Sequence, residues 1–207
     1  MSSRNAFTLA ELLVVIAIIL VLIGLTFPVF RGAQNQAKKV QAKNDLIQIV
    51  TAVNAFYAEY GRYPVAGQTD VTFASDNSDL FYALRAVSMG ANSSDALNPR
   101  KIVFISPPDV KDPNKPRGGI APLTGIYYDP WGKEDTRPEG GVYHVRIDGN
   151  YDNVIANAYT DGSAGGDPGN AYSLRQGVIA WSLGKDKTPG TNENNSFTNS
   201  DDVISWQ

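Results

Sequence analysis

Three acidic residues occupy positions where a carboxylate could do specific chemistry. Glu11 precedes an apolar run, since residues 12–30 contain no charged side chain. A charge inside a membrane helix costs roughly 2.5–3.5 kcal/mol, so such a residue usually faces a partner, although one near the helix end can instead reach the interface.

Asp186 and Asp202 bound a polar segment rich in Asn, Thr and Ser. Because Ca²⁺ takes six to eight oxygens at about 2.4 Å, this segment predicts either a calcium clip or a solvated, mobile loop without an ion.

Other chemistries are disfavoured by the composition of the 207-residue chain. It has no cysteine and a single histidine, His144, which excludes disulfides, thiol catalysis and sites built from several histidines. The formal net charge of −3 argues against a nucleic-acid binder, which needs clustered Lys and Arg. His144 falls in a predicted strand, and the sequence has no Gly-x-Ser-x-Gly elbow. We therefore expect no enzyme activity and a packed or surface position for His144.

One N-terminal segment is long enough to cross a bilayer. Roughly 20 helical residues span a 30 Å hydrocarbon core, and residues 7–30 exceed that number. A removable secretory signal is the alternative, but the apolar run is longer than an ordinary h-region and no small-x-small site follows it. Pro28 removes a helical hydrogen bond and Gly24 weakens the helix by about 1 kcal/mol relative to Ala. The sequence therefore predicts a kink or local melting between Gly24 and Pro28.

Beyond Arg31 the pattern becomes that of an amphipathic helix. Apolar residues recur at spacings of three and four, namely Leu46, Ile49 or Val50, Val53, Phe56 or Tyr57, and Tyr60. Gly61 and Pro64 then provide a stop. Residues 31–60 are thus expected to continue the first helix and to pack one face on a globular domain.

The rest of the sequence predicts a small antiparallel sheet. Short β-branched or aromatic runs are bounded by Gly, Pro, Asp or Asn, and they are residues 101–105, 125–128, 142–147, 154–159 and 177–182. A short helix is predicted for residues 79–88. The expected fold class is α+β, with a long N-terminal α-helix, membrane-spanning in its first half, packed by its second half on a small antiparallel β-sheet domain. The many tyrosines are expected in the sheet and the core.

The N-terminal residues carry a specific resemblance. The string Ala-Phe-Thr-Leu-Ala-Glu at 6–11, followed by a long apolar run and Pro28, resembles the type IV pilin and pseudopilin superfamily. The resemblance implies that prepilin peptidase cuts after Ala6, where Gly is more usual, and that Phe7 becomes the N-methylated terminus. It also implies that Glu11 neutralises the terminal amine of a neighbouring subunit during assembly and that the helix around Pro28 extends.

A second resemblance, to the major pseudopilin of type II secretion, involves the C-terminal half. It consists of an Asp-Pro-Trp-Gly turn at 129–132, a Ser-x-Gly-x-Asp pattern at 182–186, a polar loop, and Asp-Val-Ile-Ser-Trp at 202–206. The resemblance implies structural calcium, bound by the side chains of Asp186 and Asp202 and by backbone carbonyls near Leu183 and Thr188. The loop between the two aspartates is longer than usual, which leaves the remaining ligands open.

Together the resemblances imply a structural subunit of a type II secretion pseudopilus-like filament that supports protein export. Residues 1–6 would be the leader, 7–30 the transmembrane and assembly half of the helix, 31–60 its amphipathic half and 61–207 the globular head. Expected partners are further copies in a helical homopolymer, minor pseudopilins, prepilin peptidase, and an inner-membrane assembly platform with its ATPase. The expected location is the inner membrane, single-pass, with the C-terminal domain on the periplasmic side. The alternatives are a type IV pilus or DNA-uptake pilin, or a membrane-anchored binding domain that never polymerises.

Overall fold

A computed structural model describes residues 8–133, 137, 139–167, 172–191 and 195–207, without the side chains of residues 25–29. The chain forms two compact units, which divide between Ala37 and Lys38. A single α-helix, α1 (Leu9–Tyr60), supplies most of the first unit and the first element of the second. This helix confirms the predicted long N-terminal element.

In the first unit the apolar side chains described between Leu9 and Ile23 are exposed, because no other part of this unit covers them. The helix is continuous from Leu9 to Tyr60 and includes Gly24 and Pro28, so local melting in the isolated subunit is not observed. Extension of this stretch on assembly stays a prediction. Among the residues that the structure describes, no helix has a stretch both long enough and apolar enough to cross a membrane.

In the second unit α1 buries one apolar stripe. Ala42, Leu46, Ile49, Val53 and Phe56 are fully buried and belong to the main core. The predicted helical face is therefore confirmed, and the two open choices are decided in favour of Ile49 and Phe56, whereas Tyr57 is 40% exposed. Gly61, with φ 66°, follows the last helical residue in the left-handed conformation that ends helices.

The main sheet of the second unit is antiparallel and has four strands, which are β1 (Val71–Phe73), β4 (His144–Ile147), β7 (Val178–Ser182) and β8 (Val203–Ile204). Their order across the sheet is β1-β4-β7-β8. Two small hairpins join β2 (Gly119–Ile120) to β3 (Tyr127–Tyr128) and β5 (Ile155–Ala156) to β6 (Ser173–Leu174). Helix α2 (Ser78–Leu84) and a 3₁₀ segment (Gly90–Asp95) lie between β1 and β2. The α+β prediction is confirmed.

The two faces of the sheet bury different sets of side chains, as strand alternation requires. Tyr143, Val145 and Ile147 join the main core with α1. Ile179 and Trp181 contribute to a second core with residues of the β5–β6 hairpin and the C-terminal strand, namely Ile155, Tyr159, Leu174 and Ile204. The described residues of the C-terminal loop, 186–191 and 195–202, contact this second core through Phe197.

One predicted strand was wrong and four strands were missed. Residues 101–105 form no strand, since Lys101 has φ 54° and two prolines follow at 107 and 108. Instead, Phe104 donates its backbone N–H to Leu84 O at 2.8 Å. The missed strands, β1, β2, β6 and β8, have only two or three residues each, too few for an alternating pattern to be recognised.

Candidate functional site

The N-terminal site is built on the first turn of α1. The predicted cleavage and methylation residues, Ala6 and Phe7, lie outside the described residues. Glu11 accepts hydrogen bonds at Oε2 from the backbone N–H and the hydroxyl of Thr8, both at 2.8 Å. Its own backbone N–H donates to Thr8 Oγ1 at 3.2 Å. Thr8 and Glu11 thus form a capping box, in which two side chains satisfy backbone N–H groups at the helix start.

The capping box gives Glu11 a local partner in the isolated subunit. Sequence reasoning missed this role, although Thr-x-x-Glu before an apolar run is the usual signature of a capping box. The structure places Glu11 in the first helical turn and leaves its side chain exposed. Its carboxylate is therefore held in one position by Thr8 and accessible to a cationic group from outside the subunit.

The second site begins at the Asp-Pro-Trp-Gly turn, where Asp129 is fully buried. Its Oδ1 accepts the backbone N–H groups of Trp131 and Gly132, both at 2.9 Å. Its Oδ2 accepts the Ser182 hydroxyl at 2.6 Å. Burial raises the pKa of Asp129 to about 6, although these hydrogen bonds and the charge of Lys187 oppose the rise. Asp129 therefore closes its own turn and fastens it to the end of β7.

The Ser-x-Gly-x-Asp pattern continues this chain of contacts into the C-terminal loop. Ser182 Oγ also accepts the backbone N–H of Gly184 at 3.2 Å. Gly184 has φ 66°, and a Cβ at this position would lie 2.7 Å from Asp201 Oδ1 and 2.6 Å from Asp201 O. Glycine is required there for both reasons. The pattern thus holds the backbone tightly against a carboxylate.

Three carboxylates converge beside Gly184. Asp186, Asp201 and Asp202 each offer one oxygen, and these oxygens all lie within 4.8 Å of one another. Oxygens bound to one Ca²⁺ at about 2.4 Å are at most twice that distance apart, so the spacing suits a single ion. Because the ligands are all hard oxygens, the group could hold Ca²⁺.

Two of these oxygens have no partner among the described residues. Asp201 Oδ1 and Asp202 Oδ1 are buried without a hydrogen bond, whereas the second oxygen of each is satisfied. Asp201 Oδ2 accepts Lys185 N, and Asp202 Oδ2 accepts Gly190 N and the Tyr159 hydroxyl, all at 2.7 Å. A buried carboxylate oxygen without a partner is costly. A cation would relieve this cost, so the residues present fit a metal ion.

The electrostatics of the cluster agree with its geometry. Burial raises the pKa of Asp202 to about 6, and the charge of Asp201 adds to the rise. Burial likewise raises the pKa of Asp201, with a further contribution from Asp186. Three like charges at this separation repel one another, so the cluster favours protons or a cation over three free carboxylates.

The predicted metal ligands meet different outcomes in the structure. The structure brings Asp186 and Asp202 together, and the third member of the group is Asp201, which the resemblance did not name as a ligand. Its signal was its position beside Asp202 in the same acidic stretch. Leu183 and Thr188 are buried residues of the same loop, and the use of their carbonyls stays a prediction.

A further carboxylate organises the described parts of the C-terminal loop. Asp161 Oδ2 accepts hydrogen bonds from the hydroxyls of Ser196 at 2.6 Å and Thr198 at 2.8 Å, and from Thr198 N at 3.0 Å. Asp202 fastens the loop at Gly190, through the hydrogen bond that its Oδ2 accepts. Asp161 and Asp202 thus both form hydrogen bonds with described residues of the loop. The shape of the loop therefore depends on these two carboxylates.

His144 has a packing role, as expected. It is 3% exposed, stacks on Trp181 with ring centroids 5.2 Å apart, and donates from Nε2 to Glu139 O at 2.9 Å. Burial lowers its pKa to about 4. The ring is therefore neutral at pH 7. Among the described residues no serine or carboxylate side chain forms a hydrogen bond with it.

Comparison with known proteins bears on the N-terminal site. The family described as a prokaryotic N-terminal methylation motif matches residues 1–27. The type IV major pilin protein PilA of Myxococcus xanthus (strain DK1622) is 40% identical over 60 residues, which are 29% of this chain. Both matches support the type IV pilin and pseudopilin superfamily.

The similarity of this pilin-like chain to its relative is confined to one segment. The aligned residues span 27% of the length of the Myxococcus pilin. No solved structure matches the chain. The two sequence matches confirm the N-terminal resemblance to this superfamily, and the resemblance to the type II secretion pseudopilin stays a prediction.

Proposed function

We propose that this chain is a structural subunit of a type II secretion pseudopilus-like filament and has no catalytic role. The observation that carries the proposal is the match of residues 1–27 to the N-terminal methylation motif, which includes Glu11. In this proposal prepilin peptidase cuts after Ala6 and Phe7 becomes the methylated terminus. The apolar part of α1 first anchors the subunit in the inner membrane and then packs against other copies, while the head lies on the periplasmic side.

Glu11 is the residue through which assembly would be specified. Its carboxylate is exposed, and Thr8 holds it at the helix start. The terminal amine of a neighbouring subunit is a cation that every copy carries after cleavage. Pairing of the amine with Glu11 would fix the axial register of one helix against the next.

Further partners follow from this proposal. An inner-membrane platform and its ATPase would extract the processed subunits, and minor pseudopilins would join the same filament. The apolar side chains of the first unit, exposed in the single chain, support lateral packing because they need an apolar environment in the membrane and in the filament alike.

Structural calcium in the C-terminal loop is part of the same proposal. Asp186, Asp201 and Asp202 would bind the ion, with the carbonyls of Leu183 and Thr188 as additional ligands. Support comes from the two buried oxygens without partners and from the 4.8 Å spacing of the carboxylate oxygens. The ion would supply charge neutralisation only, since no substrate has to reach it.

The type II and type IV assignments rest on different observations. The buried Asp129 turn, its bond to Ser182 and the acidic cluster beyond Gly184 favour the type II secretion subtype, because they give structural roles to the Asp, Ser and Gly residues of the resemblance. The 60-residue match to a type IV major pilin favours a type IV pilus subunit as the second candidate. A DNA-uptake pilin or a non-polymerising membrane-anchored domain would retain the head but differ in assembly.

The test separates the charge of Glu11 from its capping role. Glu11→Gln keeps an acceptor for Thr8 but removes the negative charge, whereas Thr8→Ala removes the cap and keeps the charge. In a deletion strain we expect Glu11→Gln to leave membrane insertion intact and to reduce incorporation into filaments at least tenfold. Thr8→Ala should reduce it by no more than about fivefold, since loss of a cap costs about 1 kcal/mol.

The same strain distinguishes the filament types. Loss of protein secretion that the wild-type gene restores supports the type II assignment, whereas loss of surface motility supports the type IV pilus. Normal filaments from Glu11→Gln would contradict the proposed role of Glu11. A mature N-terminus other than N-methylated Phe7, measured by mass spectrometry, would contradict the proposed processing.

A further inference from the structure

A groove in the second unit concentrates positive charge on a chain that is acidic overall. It has a volume of about 320 Å³ and lies between the start of this part of α1 and the segment from Pro108 to Gly118. Four basic and two acidic residues line the groove and give it a formal charge of +2. The basic residues are Lys38, Lys111, Lys115 and Arg117, and the acidic residues are Asp109 and Asp112. The whole chain carries −3.

The groove is a defined feature because backbone hydrogen bonds hold its walls. Ile120 N donates to Pro108 O at 2.9 Å, and Gly118 N donates to Asp129 O at 2.7 Å. Gly119 lets these segments approach, since a Cβ there would lie 2.6 Å from Pro108 O. Lys111, Lys115 and Arg117 thus lie on a segment that these hydrogen bonds hold against β2 and the Asp129 turn, whereas Lys38 lies on α1.

The basic side chains of the groove are free to bind an anion. Lys38, Lys111, Lys115 and Arg117 make no ion pair or side-chain hydrogen bond with any residue that the structure describes, whereas Arg100, Lys101 and Arg175 elsewhere pair with carboxylates. Burial lowers the pKa of Lys38, and the charges of Arg117, Lys187 and Lys185 lower it further, although the charge of Asp129 opposes this shift. Positive charge is therefore concentrated here.

The chemistry of the lining favours phosphate. Arg117 offers a planar fork that matches a phosphate group, and the three lysines add point charges around it. The lining contains no aromatic residue on which a base could stack, which disfavours single-stranded nucleic acid. Recognition would depend on charge, as it does for anionic lipid headgroups.

The position of Lys38 in the chain indicates where such headgroups would come from. Seven residues separate Lys38 from Phe30, the last residue of the uncharged run. Even a fully extended chain covers at most about 3.6 Å per residue, so this stretch reaches less than about 30 Å. A subunit anchored by its apolar segment therefore keeps this groove residue close to a membrane surface.

We propose that the groove formed by Lys38, Lys111, Lys115 and Arg117 binds phosphate headgroups of anionic phospholipids before the subunit enters a filament. This inference rests on the membrane anchoring proposed above. Headgroup binding would hold the head at the bilayer surface, and extraction into the filament would have to break these contacts.

Lysine reactivity in vesicles tests the inference. The full chain is reconstituted into vesicles of phosphatidylcholine alone or with 30% phosphatidylglycerol, treated briefly with an amine-acetylating reagent and analysed by mass spectrometry. We expect Lys111 and Lys115 to react at least threefold more slowly with the anionic lipid present, and the rate of Lys101, outside the groove, to change less. The protection should be lost in 0.5 M NaCl, where the Debye length is roughly 4 Å.

Two exposed arginines provide a matched pair of variants. Arg117→Glu reverses a charge in the groove and should abolish most of the protection of Lys111 and Lys115. Arg175→Glu makes the same charge change outside the groove and should preserve it. Arg175 is exposed and forms a surface ion pair with Asp167, so its replacement costs little stability.

The outcomes separate this inference from the anchoring on which it rests. Flotation of the chain with both kinds of vesicle but equal lysine reactivity in both would overturn the groove proposal alone. Protection in neutral vesicles by 10 mM inorganic phosphate, equal to that by phosphatidylglycerol, would overturn its assignment to lipid. Failure to float with neutral vesicles would contradict membrane anchoring and overturn the inference with it.

Discussion

At the scale of single residues, the same side-chain type performs different tasks according to its surroundings. Glu11 is exposed and caps a helix, and Asp129 is buried and closes a turn. Asp202 is buried and has one carboxylate oxygen without a hydrogen-bond partner among the described residues. The sequence singled out these three carboxylates by different signals, because Glu11 stands at an apolar run, whereas Asp129 and Asp202 belong to the patterns that resemble the major pseudopilin of type II secretion. It did not predict their hydrogen-bond partners, since Ser182, Tyr159 and Gly190 are distant from them in the chain or separated by an irregular loop.

Asp129 gives a pH-dependent prediction. Its folded-state pKa of about 6 exceeds the unfolded value of about 3.9, so between these values the folded protein binds more protons than the unfolded one. The Asp129 contribution to stability is therefore present below pH 4 and lost as the pH rises through 6. Because Asn is neutral at every pH, Asp129→Asn should destabilise more at pH 4 than at pH 7, by roughly 1–3 kcal/mol.

Urea unfolding of the full chain in detergent at pH 4, 5, 6 and 7, with a calcium chelator present, measures this difference. Comparison of variant with wild type cancels the titration of the other carboxylates and of His144. Asp112→Asn, at an exposed position, is the control and should stay within about 0.5 kcal/mol of wild type. A destabilisation by Asp129→Asn that grows from pH 4 to pH 7 would contradict the expected sign of the pH dependence.

At the scale of secondary structure, long periodic elements were predictable and short ones were not. The second half of α1 has an apolar stripe over four turns, which repeats the signal often enough to fix its buried face. Strands β4 and β7 were found because they are β-branched or aromatic and bounded by turn residues. Strands β1 and β8 form the edges of the sheet, and long-range pairing with β4 and β7 defines them.

Two neighbouring residues on α1 test the packing of this helix. Leu46 is 0% exposed in the main core, whereas Ile47, about 100° further around the helix, is 47% exposed. We expect Leu46→Ala to lower the free energy of unfolding by about 2–5 kcal/mol, because it removes buried methyl groups and leaves a cavity. Ile47→Ala should cost less than about 1 kcal/mol, since little buried area is lost. Equal costs in urea unfolding would show that the face is assigned wrongly.

At the scale of the whole molecule, the acidic cluster joins segments that are far apart in sequence. Asp202 directly precedes β8, and its partner Tyr159 follows β5. Gly184 follows β7, whose last residue, Ser182, forms hydrogen bonds with both Gly184 and Asp129. The sequence predicted the loop and the ion but could not show that three strands meet there. A cation at this position would link the sheet, the second core and the C-terminal loop at once.

Removal of calcium should therefore loosen the C-terminal loop and lower the melting temperature of the second unit. At a calcium concentration 100-fold above Kd, the folded state gains about 2.7 kcal/mol, which corresponds to roughly 5–10 °C for a chain of this size. We expect this shift between calcium and chelator in scanning calorimetry, together with faster proteolysis between residues 186 and 202 when the chelator is present.

Asp201→Asn and Asp202→Asn should abolish the shift, and Asp112→Asn should preserve it, because only the first two remove a buried oxygen from the cluster. The loss in Asp201→Asn distinguishes a three-carboxylate site from one built on Asp186 and Asp202 alone. A melting temperature and a cleavage rate that are the same with calcium and with chelator would contradict the metal clip, and the two unpartnered oxygens would then be satisfied by protons, as the raised pKa values of Asp201 and Asp202 allow.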